Sequence, residues 1–242
     1  TIQLHREKAI YGVGGGITWD STWESEYREV HQKAAVLYRK QARFQLITTG
    51  EISQKSLLFE NQHIERLTKA SRYFSYPFDA EYLKQKIEEE CRSCDINQDY
   101  RLRISLSKSG KIEVDRQILT PLSPSFCQAQ LCLQEANLQQ AFTYFKTPHR
   151  PHLSLGEQEK IYHNTKGELL ETSIGNLVLK IAGKLYTPPI RLGILPGIYR
   201  QHLLETGQVE EKVLTLADLA QAEAIYGCNA VRGLYELSMR EN

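Results

Sequence analysis

The sequence predicts an α+β fold with mixed sheets, and three observations carry that prediction. Between residues 44 and 120, short runs rich in apolar residues at strand period alternate with segments at helix period. The stretch Leu119-Thr-Pro-Leu-Ser-Pro124 then breaks the pattern, because each proline fixes φ and removes a backbone donor. Beyond it, short strand-like runs return with brief helical segments between them. A chain of 242 residues, 41% hydrophobic and 24% charged, can build one two-lobed domain or two small ones, with the proline stretch as the linker between lobes.

The elements follow in order. Residues 1–39 hold a glycine-rich run, Tyr11-Gly-Val-Gly-Gly-Gly-Ile17, and then a charged helical segment over about 24–40. Ser21 or Thr22 would cap that helix, with Glu24 and Glu26 in the first turn, where the helix dipole favours anions. Residues 44–48 and 56–59 read as a strand pair. Asn61 would open a helix to Tyr73 with Ile64, Leu67, Ala70 and Tyr73 on one face, and Asp79 a second one to about Arg92. Tyr100-Arg-Leu-Arg-Ile-Ser-Leu106 alternates like a half-buried strand and turns at Ser109-Gly110 into residues 111–115. In the second half, strands are predicted at 127–133, 160–163, 208–214 and 224–228. A hairpin over 177–186 turns at Gly183, and helices are predicted at 197–205 and 217–222.

Charge excludes some partners. Lys and Arg number 30 against 29 Asp and Glu, so no net field draws nucleic acid or an anionic membrane surface. No apolar stretch has the length of a membrane span, and a cytoplasmic enzyme is the default expectation. The five cysteines form no disulfide framework, and the pair Cys91 and Cys94 lacks the further ligands of a zinc site. The glycine run is not a dinucleotide fingerprint, since position 17 is isoleucine, and neither a Walker loop nor a serine-hydrolase elbow is present.

Several residues could carry chemistry. Lys146 follows three aromatic residues in Phe142-Thr-Tyr-Phe-Lys-Thr-Pro-His-Arg150. It reads either as a desolvated amine of lowered pKa, usable as nucleophile and base, or as a surface lysine whose stem lies along the aromatics. Locally the second reading is the commoner case. Glu171, before an apolar strand, could pair with a protonated heterocycle or simply face solvent. Pro196-Gly197 opens a helix whose first N–H groups, those of Ile198 and Tyr199, form a natural anion cradle. Cys228-Asn-Ala-Val-Arg-Gly233 is a similar strand-to-turn segment, and Arg66 could close on the same anion.

The order of these segments carries more than any one of them. His63-Ile-Glu-Arg-Leu67, Lys146-Thr-Pro-His-Arg150, Glu171-Thr-Ser-Ile-Gly-Asn-Leu177, Thr187-Pro-Pro189, Leu195-Pro-Gly-Ile-Tyr-Arg200 and Asn229-Ala-Val-Arg-Gly233 resemble, in succession, the fold-type IV pyridoxal-phosphate enzymes. That family includes aminodeoxychorismate lyase and the branched-chain and D-amino acid aminotransferases. The resemblance implies a two-lobed fold with pyridoxal 5′-phosphate between the lobes, and commonly a homodimer. It matches Lys146 to the lysine that holds the cofactor and Glu171 to the partner of the ring nitrogen. Leu195 would pack on the ring face. Arg66, the backbone of Ile198 and Tyr199, and Asn229 with Ala230 match the phosphate cup. Leu46 falls where the stand-alone lyase carries a threonine near the reacting carbon.

The first segment resembles something else. Tyr11-Gly-Val-Gly-Gly-Gly-Ile-Thr-Trp-Asp-Ser21 and the following Glu24-Ser-Glu-Tyr-Arg-Glu-Val-His-Gln-Lys33 look like the C-terminal end of chorismate-utilising enzymes, notably aminodeoxychorismate synthase component I. There the residues matching Glu26 and Glu29 serve Mg²⁺; on an isolated segment they are expected to be inert, and no metal is expected. Synthase and lyase act in succession and can be fused, so the expected layout is a synthase remnant at 1–40, a small lobe at 41–120 and a larger cofactor-binding lobe at 121–242. The implied reaction is the conversion of 4-amino-4-deoxychorismate to 4-aminobenzoate and pyruvate, on the route to folate, with synthase or glutamine amidotransferase subunits as possible partners. A class IV aminotransferase and a non-catalytic fragment of a fusion stand as alternatives.

Overall fold

The computed structural model describes residues 2–38, 44–134, 140–150, 152–154 and 156–240. The chain divides into two compact units, residues 1–43 and 44–242. In the first, β1 (Ile2–His5) and β2 (Lys8–Tyr11) form an antiparallel hairpin that turns through Arg6 at φ 52°. This hairpin was not expected, because its side chains are almost all exposed and show no buried alternation. Helix α1 (Trp23–Tyr38) follows. Thr22 is its cap, with Oγ1 accepting from the Ser25 N–H at 3.3 Å, while Ser21 donates instead to Glu26 at 2.7 Å. The last residues assigned to this helix, at 39 and 40, lie outside the described residues.

The second unit opens with a four-stranded antiparallel sheet, in the order β4-β3-β5-β6, made of β3 (Leu46–Ser53), β4 (Ser56–Leu57), β5 (Tyr100–Leu106) and β6 (Ile112–Ile118). Strand β3 runs past the expected stop at residue 48 and turns only at Gln54 and Lys55, both left-handed at φ 49° and 62°. Helices α2 (Glu60–Phe74) and α3 (Ala80–Arg92) cover one face of this sheet. Asp79 caps α3 by accepting from the Tyr82 N–H at 3.0 Å, as its sequence position predicts. Asn61 does not cap α2; it lies inside the first turn, and left-handed Phe59 at φ 58° is the residue before the helix. Leu46, Ile52, Leu102, Ile104 and Leu106 from the sheet meet Leu67, Leu83 and Ile87 from the helices in one dry core.

The larger sheet takes in β7 (Gln128–Leu133), β8 (Lys160–His163), β9 (Leu169–Thr172), β10 (Asn176–Ile181), β11 (Lys184–Thr187), β12 (Glu210–Glu211), β13 (Ala224–Asn229) and β14 (Gly233–Met239). Its order is β12-β11-β10-β13-β14-β7-β8-β9, and a further pairing of β9 with β10, Glu171 opposite Asn176, bends the sheet back on itself. Parallel pairs β14–β7, β7–β8 and β11–β12 among antiparallel ones make it mixed, as expected. Helices α4 (Gln140–Tyr144), α5 (Ile198–Glu205) and α6 (Leu216–Gln221) lie among its connections. The predicted strand over 208–214 shrinks to the two residues of β12, and the strand at 224–228 is not the last, since β14 pairs with it along its length. Among the described residues no helix is long and apolar enough to cross a membrane.

The part of the β3 edge that short β4 leaves open joins the two lobes of this unit. The Ile47 N–H donates to the Lys146 carbonyl at 3.0 Å and the Glu51 N–H to the Ala230 carbonyl at 3.2 Å. Two chain segments from beyond residue 121 are thereby held against one strand of the smaller sheet. Truncating Leu83, fully buried where α3 meets the sheet, should lower unfolding stability by about 2–5 kcal/mol. Urea unfolding of Leu83→Ala against the parent protein measures this directly.

Candidate active site

Strand alternation sorts β3 into two faces. Leu46, Thr48, Gly50 and Ile52 point to the helices: Leu46 and Ile52 sit in the core, and Thr48 Oγ1 lies 2.6 Å from His63 Nδ1. His63 Nε2 occupies the space that a Cβ on Gly50 would need, so only glycine fits there. Burial drives the His63 pKa down to about 3, with help from Arg66 and Lys146, and the ring is neutral at any ordinary pH. Leu46 is therefore a core residue on the helix-facing side of the sheet. On the opposite face of the sheet, Thr49 pairs in register with Arg103 and Glu51 with Arg101.

Lys146 follows α4 in a loop that its own carbonyl ties to β3. The aromatics before it pack against the rings of the smaller lobe. Phe142 packs edge-on to Phe44 at 5.1 Å, and Phe145 lies 5.2 Å from Phe74 and 4.6 Å from Tyr73, so these rings wedge the loop into the smaller lobe. The amine itself is desolvated, and burial together with the positive charges of Arg66, Arg150, Arg101 and Arg103 brings its pKa down to about 7. Near neutral pH a large fraction of it carries a free lone pair.

Glu171 lies one residue before the end of β9, with its side chain only 3% exposed. Its Oε1 accepts from Arg150 Nη2 at 2.8 Å, and its Oε2 faces the Leu195 N–H at 3.4 Å. Burial raises the carboxyl pKa, opposed by the Arg150 guanidinium, by the Leu195 N–H and by Lys146. From Leu195 the chain runs directly into the start of α5. Arg66 Nη2 donates to the Pro196 carbonyl at 2.7 Å, which sets that guanidinium beside the helix start. Burial, then Arg150, lowers the Arg66 pKa to about 10. The position before α5 is Gly197, without a capping side chain, so the first N–H groups of the helix, at Ile198 and Tyr199, have no cap and suit an anion. Asn229 Oδ1 accepts from Val231 and Arg232 at 2.9 and 3.0 Å, folding the β13–β14 turn. That turn reaches α5 at Gly233, where an added Cβ would lie 3.3 Å from the Tyr199 hydroxyl.

The structure thus gathers Lys146, Arg66, Glu171, Leu195, Ile198, Tyr199, Asn229 and Ala230 around the junction of the two lobes of residues 44–242. Glu26 and Glu29 belong to the first unit, where both carboxylates flank Gly15. Among the described residues no group of three or more candidate ligands could hold a metal ion. Cys91 and Cys94 are buried thiols, the latter 3.3 Å from Arg116. Sequence reasoning did not single out Arg150, Arg101 or Arg103. Arg150 stood in the quoted Lys-Thr-Pro-His-Arg segment with nothing to name its partner. The two β5 arginines alternate with Leu102 and Ile104, and that alternation signals a second, polar face.

These residues fit a phosphorylated, cationic heterocycle. Several positive groups surround one buried carboxylate, which leaves the site short of negative charge, and Arg150 Nε is buried with no hydrogen-bond partner among the described residues. A dianion can take the α5 start with Arg66, a protonated ring nitrogen can take Glu171, and an amine of pKa about 7 stands ready for a carbonyl carbon.

Comparison with known proteins gives two family matches. Residues 45–238 match the amino-transferase class IV model, and residues 1–39 match the chorismate binding enzyme model. A putative aminodeoxychorismate lyase of Schizosaccharomyces pombe is 23% identical over 161 residues, covering 62% of this chain and 68% of that one. An uncharacterized protein of Haemophilus influenzae is 33% identical over 79 residues, 33% of this chain and 41% of its own length. The chain thus spans about two fifths of that relative's length. Among solved structures, a putative amino-acid aminotransferase from Mesorhizobium loti superposes with a TM-score of 0.70 at 26% identity, over 81% of this chain and all of the other. A putative 4-amino-4-deoxychorismate lyase from Haemophilus somnus superposes with a TM-score of 0.63 at 22% identity, over 81% and 100%.

The lowered lysine has a measurable linkage. Between about pH 7 and the ordinary lysine value, near 10.4, the unfolded chain binds a proton at Lys146 that the folded chain does not. Stability of the cofactor-free protein should therefore rise with pH through that window. Lys146→Met should lose this rise while keeping the fold, as read by urea unfolding at a series of pH values.

Proposed function

Because the chain belongs to the aminotransferase class IV family, whose cofactor is pyridoxal 5′-phosphate, we propose that it is a lyase converting 4-amino-4-deoxychorismate to 4-aminobenzoate and pyruvate. The observation that carries this reading is the placing of Arg101 and Arg103 on the open face of β5, near enough to depress the Lys146 amine in company with Arg66 and Arg150. Arg66 and the α5 start suffice for the phosphate, so the two β5 guanidiniums remain for a substrate that brings carboxylates of its own. The chorismate-type segment at residues 1–39 supports the same reading, since it matches enzymes that handle the precursor of this substrate.

In this reading the cofactor phosphate is bound by Arg66, by the N–H groups of Ile198 and Tyr199, and by the turn at Asn229 and Ala230. Glu171 holds a proton on the ring nitrogen, and Leu195 packs against the ring face. The bound cofactor supplies an electron-withdrawing ring conjugated to the substrate nitrogen. Lys146 Nζ holds the cofactor and, once released from it, takes the proton from C4 of the substrate. The enolpyruvyl group departs from the neighbouring carbon and collects a proton to become pyruvate, and the remaining ring becomes aromatic. Arg101 and Arg103 hold the substrate carboxylates. We place the enzyme in the cytoplasm, as a homodimer acting beside a synthase that feeds it. A class IV aminotransferase is the second reading, favoured by the likeness to the Mesorhizobium loti protein. It would use the same lysine and phosphate cup.

Incubation with pyridoxal 5′-phosphate followed by borohydride should fix the cofactor on the peptide containing Lys146, and Lys146→Ala should abolish that labelling and all turnover. Pyruvate release from aminodeoxychorismate, made in place by a synthase, would separate the readings. Conversion of the cofactor to its amine form by D-alanine or branched-chain amino acids would establish the aminotransferase instead, and bound cofactor with neither reaction would leave a non-catalytic binding domain. Arg101→Gln and Arg103→Gln should each raise KM for the lyase substrate by about tenfold or more, as the loss of a hydrogen bond to a charged group implies, with little change in cofactor affinity.

A further inference from the structure

The side chain that most alters the chemistry of Glu171 is Arg150, and nothing in the reaction above uses it. The two form an ion pair at 2.8 Å with side-chain exposures of 15% and 3%. Arg150 commits one nitrogen, Nη2, to Glu171 Oε1, while its Nε is buried without a partner among the described residues. The other Glu171 oxygen meets the Leu195 N–H. Charged groups reach this pair from several elements. Lys146 and His152 stand on the same loop as Arg150, and Arg66 comes from α2. All except His152 are cationic or partly so. His152 itself is held neutral, with its pKa lowered to about 4 by burial and by Arg150.

We propose that Arg150 is a positioning residue that keeps Glu171 ionised and fixes its orientation, so that a proton shared between this carboxylate and a bound pyridine ring resides on the ring nitrogen. The inference rests on the reading of Glu171 given above. A carboxylate this deeply buried takes up a proton readily, because desolvation penalises its charged form. If the proton sat on Glu171, the ring nitrogen would be neutral and would draw electrons less strongly. A guanidinium in direct contact counters desolvation without competing for the proton, because arginine does not deprotonate in the working range. The guanidinium also sets a limit. By sharing the negative charge of Glu171 it weakens the pairing with the ring, so the ring is held protonated and only moderately tightly. Lysine at position 150 would keep the charge and lose the planar, directional contact.

The test uses the full chain loaded with pyridoxal 5′-phosphate labelled with ¹⁵N at the ring nitrogen. The ¹⁵N shift is followed against pH in the parent protein, Arg150→Gln and Arg150→Lys. The expected result is a protonated ring nitrogen in the parent at neutral pH, a neutral one in Arg150→Gln, and at least partial return in Arg150→Lys. An unchanged shift and pH profile in Arg150→Gln would overturn the proposal. Should Arg150→Gln fail to retain cofactor, the Glu171 carboxyl is titrated by ¹³C resonance in the cofactor-free proteins. A midpoint higher than in the parent supports the proposal, and an unmoved midpoint overturns it. If the parent itself takes no cofactor onto Lys146, the reading of the site has failed, and the same ¹³C titration still decides whether Arg150 holds Glu171 ionised.

Discussion

Two backbone hydrogen bonds on one edge of β3, from Ile47 to Lys146 and from Glu51 to Ala230, hold the candidate site together. An exposed strand edge offers unpaired donors and acceptors at every second residue. Here that edge is taken up by the two segments that carry the lysine and the β13–β14 turn. Their spacing is fixed by the strand, four residues apart, rather than by any side chain. The aromatic wedge of Phe44, Phe74, Phe142 and Phe145 then keeps the lysine loop from sliding along the edge. Because these contacts bury apolar surface without using a polar site residue, the lobes can dock firmly and leave the polar groups free for a ligand.

What is left free is electrostatically unbalanced. Lys146, Arg66 and Arg150 converge on a single buried carboxylate, and each cation lowers the proton affinity of a neighbour. Such an arrangement costs folding free energy in the absence of an anion, since buried like charges repel and desolvation is only partly repaid. It follows that an anionic ligand adds stability beyond its own contacts, by relieving that repulsion. The amine that results is nucleophilic near neutral pH because its surroundings disfavour its charged form. This is one physical route by which a lysine serves as both attachment point and base.

The sequence made much of the smaller lobe legible, because its helices show one apolar stripe each. Leu67 and Ala70 in α2, and Leu83 and Ile87 in α3, recur at helical spacing and bury together. Strand β3 was underestimated because Gly50 and Glu51, which follow the β-branched Thr48 and Thr49, are weak strand formers in isolation. Their place is set by His63 filling the room above Gly50 and by the register with β5. In the larger lobe β14 escaped notice although Tyr235, Leu237 and Met239 alternate with Glu236 and Ser238, and its pairing with β7 is parallel and distant in sequence. The site was legible as an order of motifs. Arg150, Arg101 and Arg103 were not, because an arginine declares a partner only once the fold brings the carboxylate or the amine to it.

Asn176 shows how tightly the two ends of the site are coupled. It opens β10 opposite Glu171 of β9, so one strand pairing sets the carboxylate and the amide relative to each other. Its Nδ2 donates to the Leu195 carbonyl at 2.8 Å, and its Oδ1 fills the space a Cβ on Gly197 would need. Leu195 in turn offers its N–H to Glu171, and Arg66 grips the Pro196 carbonyl between them. A ring nitrogen held at Glu171 and a phosphate held at the α5 start would therefore be referred to one rigid corner of backbone. The glycine at 197 serves two needs there: it leaves room for Asn176, and its lack of a side-chain cap leaves the helix N–H groups open to a ligand. A side chain at 197 would collide with the Asn176 amide, so either that amide or the helix start would have to move, and the two halves of the site are coupled through this contact.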